Sequence, residues 1–215
     1  MEALAKLIYD HWFVQFDFPD ANGKPYKSSG GKMVWNGTLK REIPDGWECV
    51  SLGSLLKVCN GKDHKNLADG KNPVYGSGGV IRYVAEKLYD QESVLIPRKG
   101  TLNNILYVRV PFWTVDTMFY TSMRYKNLAK YLFLTIRKFD FIQMNTGTGV
   151  PSMTSTIINE LPILKPTDCN LVSFECLTEP IFDMVEKARR EMESLTQLRD
   201  WLLPMLMNGQ CNVAE

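Results

Sequence analysis

The stretch MNTGTGVPSMTS, Met144 to Ser155, gathers two glycines, three threonines, two serines and a proline. Hydroxyls on a glycine-permissive backbone suit a cradle for phosphate, a plain turn, or a surface that reads another macromolecule. A phosphate loop needs G-x-x-x-x-G-K-[ST], whose lysine neutralises phosphate, and neither NTGTGVPS nor SSGGKM supplies it. A dinucleotide turn needs G-x-G-x-x-G, and Gly147 and Gly149 are followed instead by Pro151. His11 and His64 lie in a helical segment and a lysine-rich loop without a nucleophile signature, which argues against a hydrolytic set. The five cysteines form no C-x-x-C pair, so neither a structural metal nor a disulfide framework is expected.

The segment Asn72-Pro73-Val74-Tyr75 is similar to the N-P-P-[YF] loop with which adenine amino-methyltransferases grip a flipped base. Its third position is Val74 and no F-x-G-x-G cofactor turn accompanies it, so catalysis is not expected. What remains is a binding protein whose polar loops offer the groups that bond phosphates and base edges. The candidates are Lys62, Lys65, Ser77, Arg82, Tyr83, Arg98, Lys99, Asn103 and Asn104, with Thr146, Thr148 and Ser152 of the glycine-rich loop. Each has a structural alternative: Tyr75 and Tyr83 as core, Arg98 paired with a carboxylate, the loop as a turn touching no base. Charge bears on the choice. The net charge of +1 conceals a division, since residues 46–166 carry 15 Lys and Arg against 9 Asp and Glu, and residues 167–215 carry 4 against 9. A basic centre fits a polyanionic partner, a solvated lysine-bearing face being the alternative.

The elements that must position these loops follow from periodicity. In EALAKLIYDHWFVQF, residues 2–16, Leu4, Leu7, Ile8, Trp12 and Phe16 recur at helical steps. From Asp17 to Gly46 chain breakers recur, which predicts an extended connector outside the core. Between Trp47 and Leu164 the runs VSLGSLLKV, NPVYGSGGVIRYV, SVLIPR, NILYVRV and MFYTSMRY read as strands, and LAKYLFLTIRKFDF as one helix. After Pro166 a narrow apolar stripe, including Ile181, Met184, Ala188, Leu195, Leu198 and Leu202, predicts a long helix suited to a coiled-coil seam, with Pro180 in its first turn. LIYDHWF and QLRDWLL form a faint repeat, as if the chain began with the end of one helix and finished with the equivalent end of another. At 215 residues the chain suits one well-cored domain and an appendage, or two small domains. It shows no signal-peptide pattern and no long uncharged apolar run, so a cytoplasmic protein without a membrane segment is expected.

Five segments in order, NPVYGSGGVIRY, SVLIPRKGTLNNILYV, PFWTVDTMFY, NTGTGVPSMTSTIINELPI and LRDWLLPMLMNGQ, resemble one half of the DNA-specificity subunit of a Type I restriction-modification enzyme. The resemblance covers nearly the whole chain. It implies an α+β fold: one target-recognition domain with mixed β-sheet, and long helices forming an antiparallel coiled coil. Residues 1–17 would be an N-terminal helix, 18–46 the connector, 47–166 the recognition domain and 167–215 the spacer helix. The chain departs from the family in carrying a single recognition domain and in lacking the P-P-x-x-E-Q start before the helix.

The same resemblance implies a non-catalytic subunit that reads a half-site of double-stranded DNA and docks methyltransferase subunits, with restriction subunits reached indirectly. S-adenosylmethionine, ATP and Mg belong to those partners, and no cofactor is expected on this chain. The helices, through Leu7, Trp12, Ile181, Met184, Ala188, Leu195, Leu198 and Leu202, would pair with a second copy as a homodimer, with another half-subunit, or with partner subunits. The competing reading is an assembly fragment whose helices bind partners while the domain reads no DNA.

Overall fold

The computed structural model describes residues 2–144 and 151–208; Thr146 and Thr148 lie outside these residues. The chain opens with helix α1 (Glu2–Tyr9), which widens into a π-helical turn over Asp10–Val14. Gln15 N–H donates to Asp10 O, an i+5 step. The extra residue of a π turn shifts the helical phase, and here the consecutive Trp12 and Phe13 are both buried. Phe16, at φ +66°, ends the helix in the left-handed region. That conformation is unusual for a bulky residue. It is held in place by the edge of Trp47, 5.6 Å between centroids, and by the Arg41 guanidinium 5.0 Å over its ring. The buried face of this helix is Ala5, Tyr9 and Trp12, while Leu4 and Leu7 point outward, one step round from the expected stripe.

The connector expected outside the core contributes to it. Strands β1 (Met33–Asn36) and β2 (Arg41–Pro44) form a hairpin. Phe18 stacks between Tyr26 and Trp47, with centroids 4.7 and 5.2 Å away, and Ile43 is buried. Chain breakers describe how such a segment turns. They do not say that the apolar residues between the turns stay in water.

The strands then follow as β3 (Glu48–Ser51), β4 (Leu56–Asn60), β5 (Asp69–Gly76), β6 (Gly79–Val84), β7 (Ser93–Pro97), β8 (Leu106–Val108), β9 (Trp113–Thr114), β10 (Met118–Met123) and β11 (Pro162–Lys165). A short helix α2 (Leu52–Leu55) links β3 to β4. One sheet has the order β4-β10-β7-β8, another β6-β5-β9 with β5 and β9 parallel, and β11 pairs with β3. The fold is α+β with mixed sheets, as the strand runs predicted. Helix α3 (Ala129–Ile136) is buried along its whole length, Lys130 included, and α4 (Ser155–Glu160) precedes β11.

Helix α5 runs from Asp168 to Met207, 40 residues, or about 60 Å. Thr167 caps it by accepting from Asn170 N–H. It begins at the start of the segment expected to be the spacer helix, and Pro180, expected in its first turn, lies inside it. Proline leaves the carbonyl four residues back without its amide partner. Pro180 and Cys176 are both exposed, so water can take that acceptor.

The first half of α5 completes the main core. Phe174 meets Phe13 at 4.9 Å and Trp12 at 5.9 Å between centroids. Trp12 and Ile181, expected on a partner face, are therefore covered within the chain itself, because α1 packs against α5. An ionic joint lies beside this core. Fully buried Lys130 bonds Glu175 at 2.5 Å and also Glu179, while Arg109 bonds Glu179 at 2.7 Å and Asp183 at 2.8 Å. Burial pushes the Glu175 carboxyl up against the pull of Lys130. At Glu179 burial pushes the same way, but Lys130 and Arg109 prevail and hold it below its ordinary value. From residue 191 to 201 every residue of α5 is exposed.

Candidate functional site

The loops carrying the candidate side chains hang on the short segment Thr114–Met118. Lys62 N–H donates to Thr114 O at 2.8 Å and Gly61 N–H to Met118 O at 3.2 Å. Arg98 N–H donates to Thr117 O at 2.8 Å, and Val115 N–H donates to Tyr75 O at 3.0 Å, which brings the end of β5 and Ser77 alongside. Approach this close demands glycine: a Cβ on Gly61 would lie 2.0 Å from Val115 O.

The far side of the segment is built from the stretch after β7. Gly100, at φ +88°, donates its N–H to Pro151 O at 3.1 Å, and the position of its missing Cβ lies 2.8 Å from Ser77 Oγ. Asn104 Nδ2 donates to Ser77 O at 2.8 Å. Lys99 forms a β-bridge with Ser152, and Met153 N–H donates to Arg98 O at 2.8 Å. Asn103 Oδ1 accepts from Phe141 N–H at 3.1 Å. Ser77, Arg98, Lys99, Asn103, Asn104 and Ser152, spread over 76 positions of sequence, thus come together on one side.

Lys62 and Lys65 project from the 61–68 loop, which Arg82 braces. Its guanidinium donates to Leu67 O at 2.5 Å and His64 O at 3.1 Å. Within the loop Asp63 accepts from Lys65 N–H at 3.1 Å, which lowers its pKa and keeps it charged. Among the described residues no ion pair takes up the ammonium groups of Lys62, Lys65 or Lys99. Arg98 is half-buried, its guanidinium 5.9 Å over the Phe119 ring.

Tyr83 falls apart from this group. Burial, then the nearby Glu193 carboxylate, raise its pKa, so it faces α5. Tyr75 is buried, its pKa pushed up to about 12 chiefly by desolvation. Thr114–Met118 and Gly100 fall within the motifs PFWTVDTMFY and SVLIPRKGTLNNILYV, but neither is a candidate contact by residue type, and Gly61 lies in no motif. The arrangement offers ammonium, guanidinium, amide and hydroxyl groups to an anionic surface, and no nucleophile with a paired base. Among the described residues no group of three or more His, Cys, Asp or Glu could hold a metal ion. No helix of the described residues is long and apolar enough to cross a membrane.

Comparison with known proteins identifies the family. Residues 44–168 match the family described as "Type I restriction modification DNA specificity domain". The MjaIX Type I restriction enzyme specificity subunit of Methanocaldococcus jannaschii is 24% identical over 241 aligned positions, taking in 100% of this chain and 54% of the relative. The EcoDI specificity subunit of Escherichia coli is 21% identical over 175 positions, or 79% of this chain and 39% of the relative. Among solved structures, the S subunit of a Type I restriction-modification system from M. genitalium superposes with a TM-score of 0.63 at 20% identity, over 94% of this chain and 52% of that one. The HsdS subunit of Thermoanaerobacter tengcongensis does so with a TM-score of 0.50 at 13% identity, over 95% and 50%. The chain spans about half the length of the relatives it matches. With the match extending over more than half of its residues, the chain belongs to the family of Type I restriction-modification DNA specificity domains.

Proposed function

We propose that this chain is a half-subunit that gives a Type I restriction-modification complex its DNA specificity, reading one half-site of duplex DNA and docking methyltransferase subunits. The observation that carries the proposal is the gathering of Lys62, Ser77, Arg98, Lys99 and Ser152 about Thr114–Met118, inside the residues that match the family. In this reading the chain is non-catalytic and cytoplasmic. Adenine methylation with S-adenosylmethionine belongs to the methyltransferase subunits. Cleavage driven by ATP with Mg belongs to restriction subunits held indirectly. The exposed end of α5 supports pairing as an antiparallel coiled coil with a second copy or another half-subunit. A homodimer relates its two recognition domains by a two-fold axis, which favours a palindromic split target.

The alternative, an assembly fragment that binds partners without reading DNA, is favoured by that same exposed helix end. Gel shifts over a range of salt, with the methyltransferase subunit present, separate the two. The proposal expects sequence-selective binding whose affinity falls with salt as phosphate contacts release counterions. Binding without sequence preference at every salt would overturn it. Mapping methylated adenines in cells that express the chain with its methyltransferase then reads out half-site and symmetry together.

A further inference from the structure

The β5–β6 hairpin carries two apolar side chains in water beside the candidate DNA contacts: Val80 is 42% exposed and Ile81 55%. The register explains how Ile81 is presented. Val74 faces Arg82 and Tyr75 faces Val80, so Ile81 has no partner on β5 and forms a β-bulge. Bulges re-aim a side chain out of the ladder and are frequent on edge strands and beside functional sites, and β6 is an edge strand. Ile81 is also propped from beneath. Its Cδ1 lies 2.7 Å from where a Cβ of Gly76 would stand, and Val115 Cγ2 lies 3.5 Å from the same point. The side chain therefore lies over the Gly76 backbone, on the side where Val115 of the Thr114–Met118 segment also approaches.

Resting on the DNA-reading function proposed above, we infer that Ile81, with Val80 beside it, reads a thymine by packing on its 5-methyl group in the major groove. Charge complementarity identifies the occupant. The 61–68 loop that Arg82 braces from the same strand carries Lys62 and Lys65, and Lys99 precedes Gly100, which packs against Ser77 beside the hairpin turn; no ion pair of the described residues neutralises these three cations. A duplex supplies phosphates on both rims of its groove. Within the major groove the thymine methyl is the apolar feature of the base edges, and two-stranded ribbons fit that groove. The bulge thus presents an apolar reader from a hairpin whose neighbouring loops carry groups that fix the backbone.

The test uses the full chain with its methyltransferase subunit and a duplex selected from a random pool. Each thymine of the bound half-site is replaced in turn by deoxyuridine, which lacks only the methyl. At one position the unaltered chain is expected to lose about fourfold in affinity, the scale of one buried methyl group. Ile81→Ala should bind the thymine and uridine duplexes equally. The assignment is overturned if no uridine replacement weakens binding, or if Ile81→Ala stays as sensitive to the missing methyl as the unaltered chain. The uridine series on the unaltered chain decides even if the variant folds poorly. Failure to select any sequence sinks the DNA-reading function itself, whereas selected binding without thymine–uridine discrimination overturns only this contact. Protection of Ile81 by the methyltransferase subunit in the absence of DNA would likewise overturn it, by assigning the pair to a protein surface.

Discussion

At Gly100 the backbone sits at φ +88° and a Cβ would lie 2.8 Å from Ser77 Oγ, so an alanine meets backbone strain and a clash together. Gly100→Ala is expected to cost about 1 kcal/mol or more, measured by urea unfolding, and to weaken DNA binding by moving Ser77. Lys62 and Lys99 pose a different case, since their ammonium groups hold nothing together within the described residues. Lys62→Ala or Lys99→Ala should leave the fold intact and lower the slope of log affinity against log salt by about 0.9 for each lost phosphate contact. An unchanged slope would remove that lysine from the interface. Thr146→Ala with Thr148→Ala is expected to weaken DNA binding while the circular dichroism spectrum stays the same; unchanged binding would return that loop to architecture.

Among the elements, the contact between α3 and α5 depends on charges that water would ordinarily keep. Lys130 is completely buried between Glu175 and Glu179. Removing one partner of such a group strands the other, at a cost of about 3–5 kcal/mol. Lys130→Met is expected to destabilise the chain by that order in denaturant melts, whereas Leu177→Ala, at an exposed position of α5, should change stability little. The acid limb of stability has a definite sign. Glu179 is held below its ordinary value of 4.5, so its contribution is present above that pH and fades as pH falls through the depressed folded value. Glu175 is shifted upward and works oppositely, its contribution fading as pH rises from the ordinary value through the raised one. Glu179→Gln should therefore flatten the loss of stability below about pH 4.5. The effect will be small, because this side chain is 39% exposed and partly screened.

On the scale of the whole molecule, α5 ends in water with Met192, Leu195, Leu198 and Trp201 all more than 45% exposed. The seven-residue spacing of Ala188, Leu195 and Leu202 is that of a coiled-coil position, and a second helix would cover it. Light scattering at micromolar concentration is expected to show a dimer, and Leu195→Asp with Leu198→Asp to convert it to a folded monomer. A monomer before any substitution would count against self-pairing and leave another half-subunit as the partner.

By itself the sequence located the longer strands, the two terminal helices and α3 in order, while the β1–β2 hairpin, α2, α4, β9 and β11 went unread. β-branched and aromatic runs between turn signals located the strands, and the 3.6-residue periodicity located the final helix, because both are local preferences. Five ordered motifs also sufficed to identify the family. The place of Pro180 escaped that reading, since a proline inside a helix can be accommodated at an exposed position such as this one. Trp12 and Ile181 escaped it for another reason. An apolar stripe shows that a face needs covering, and only the packing of α1 on α5 decided that the cover is internal for these two and absent for Leu195 and Leu198. The candidate site divides in the same way. Residue chemistry named Lys62, Ser77, Arg98, Lys99 and Ser152, but their assembly depends on backbone hydrogen bonds to Thr114–Met118 between segments far apart in sequence. Arg82 and Tyr83 are adjacent and read alike as polar candidates. The alternation of side chains along β6 sends one to brace the 61–68 loop and the other to Glu193, a division fixed by strand register and tertiary contact and carried by neither residue type.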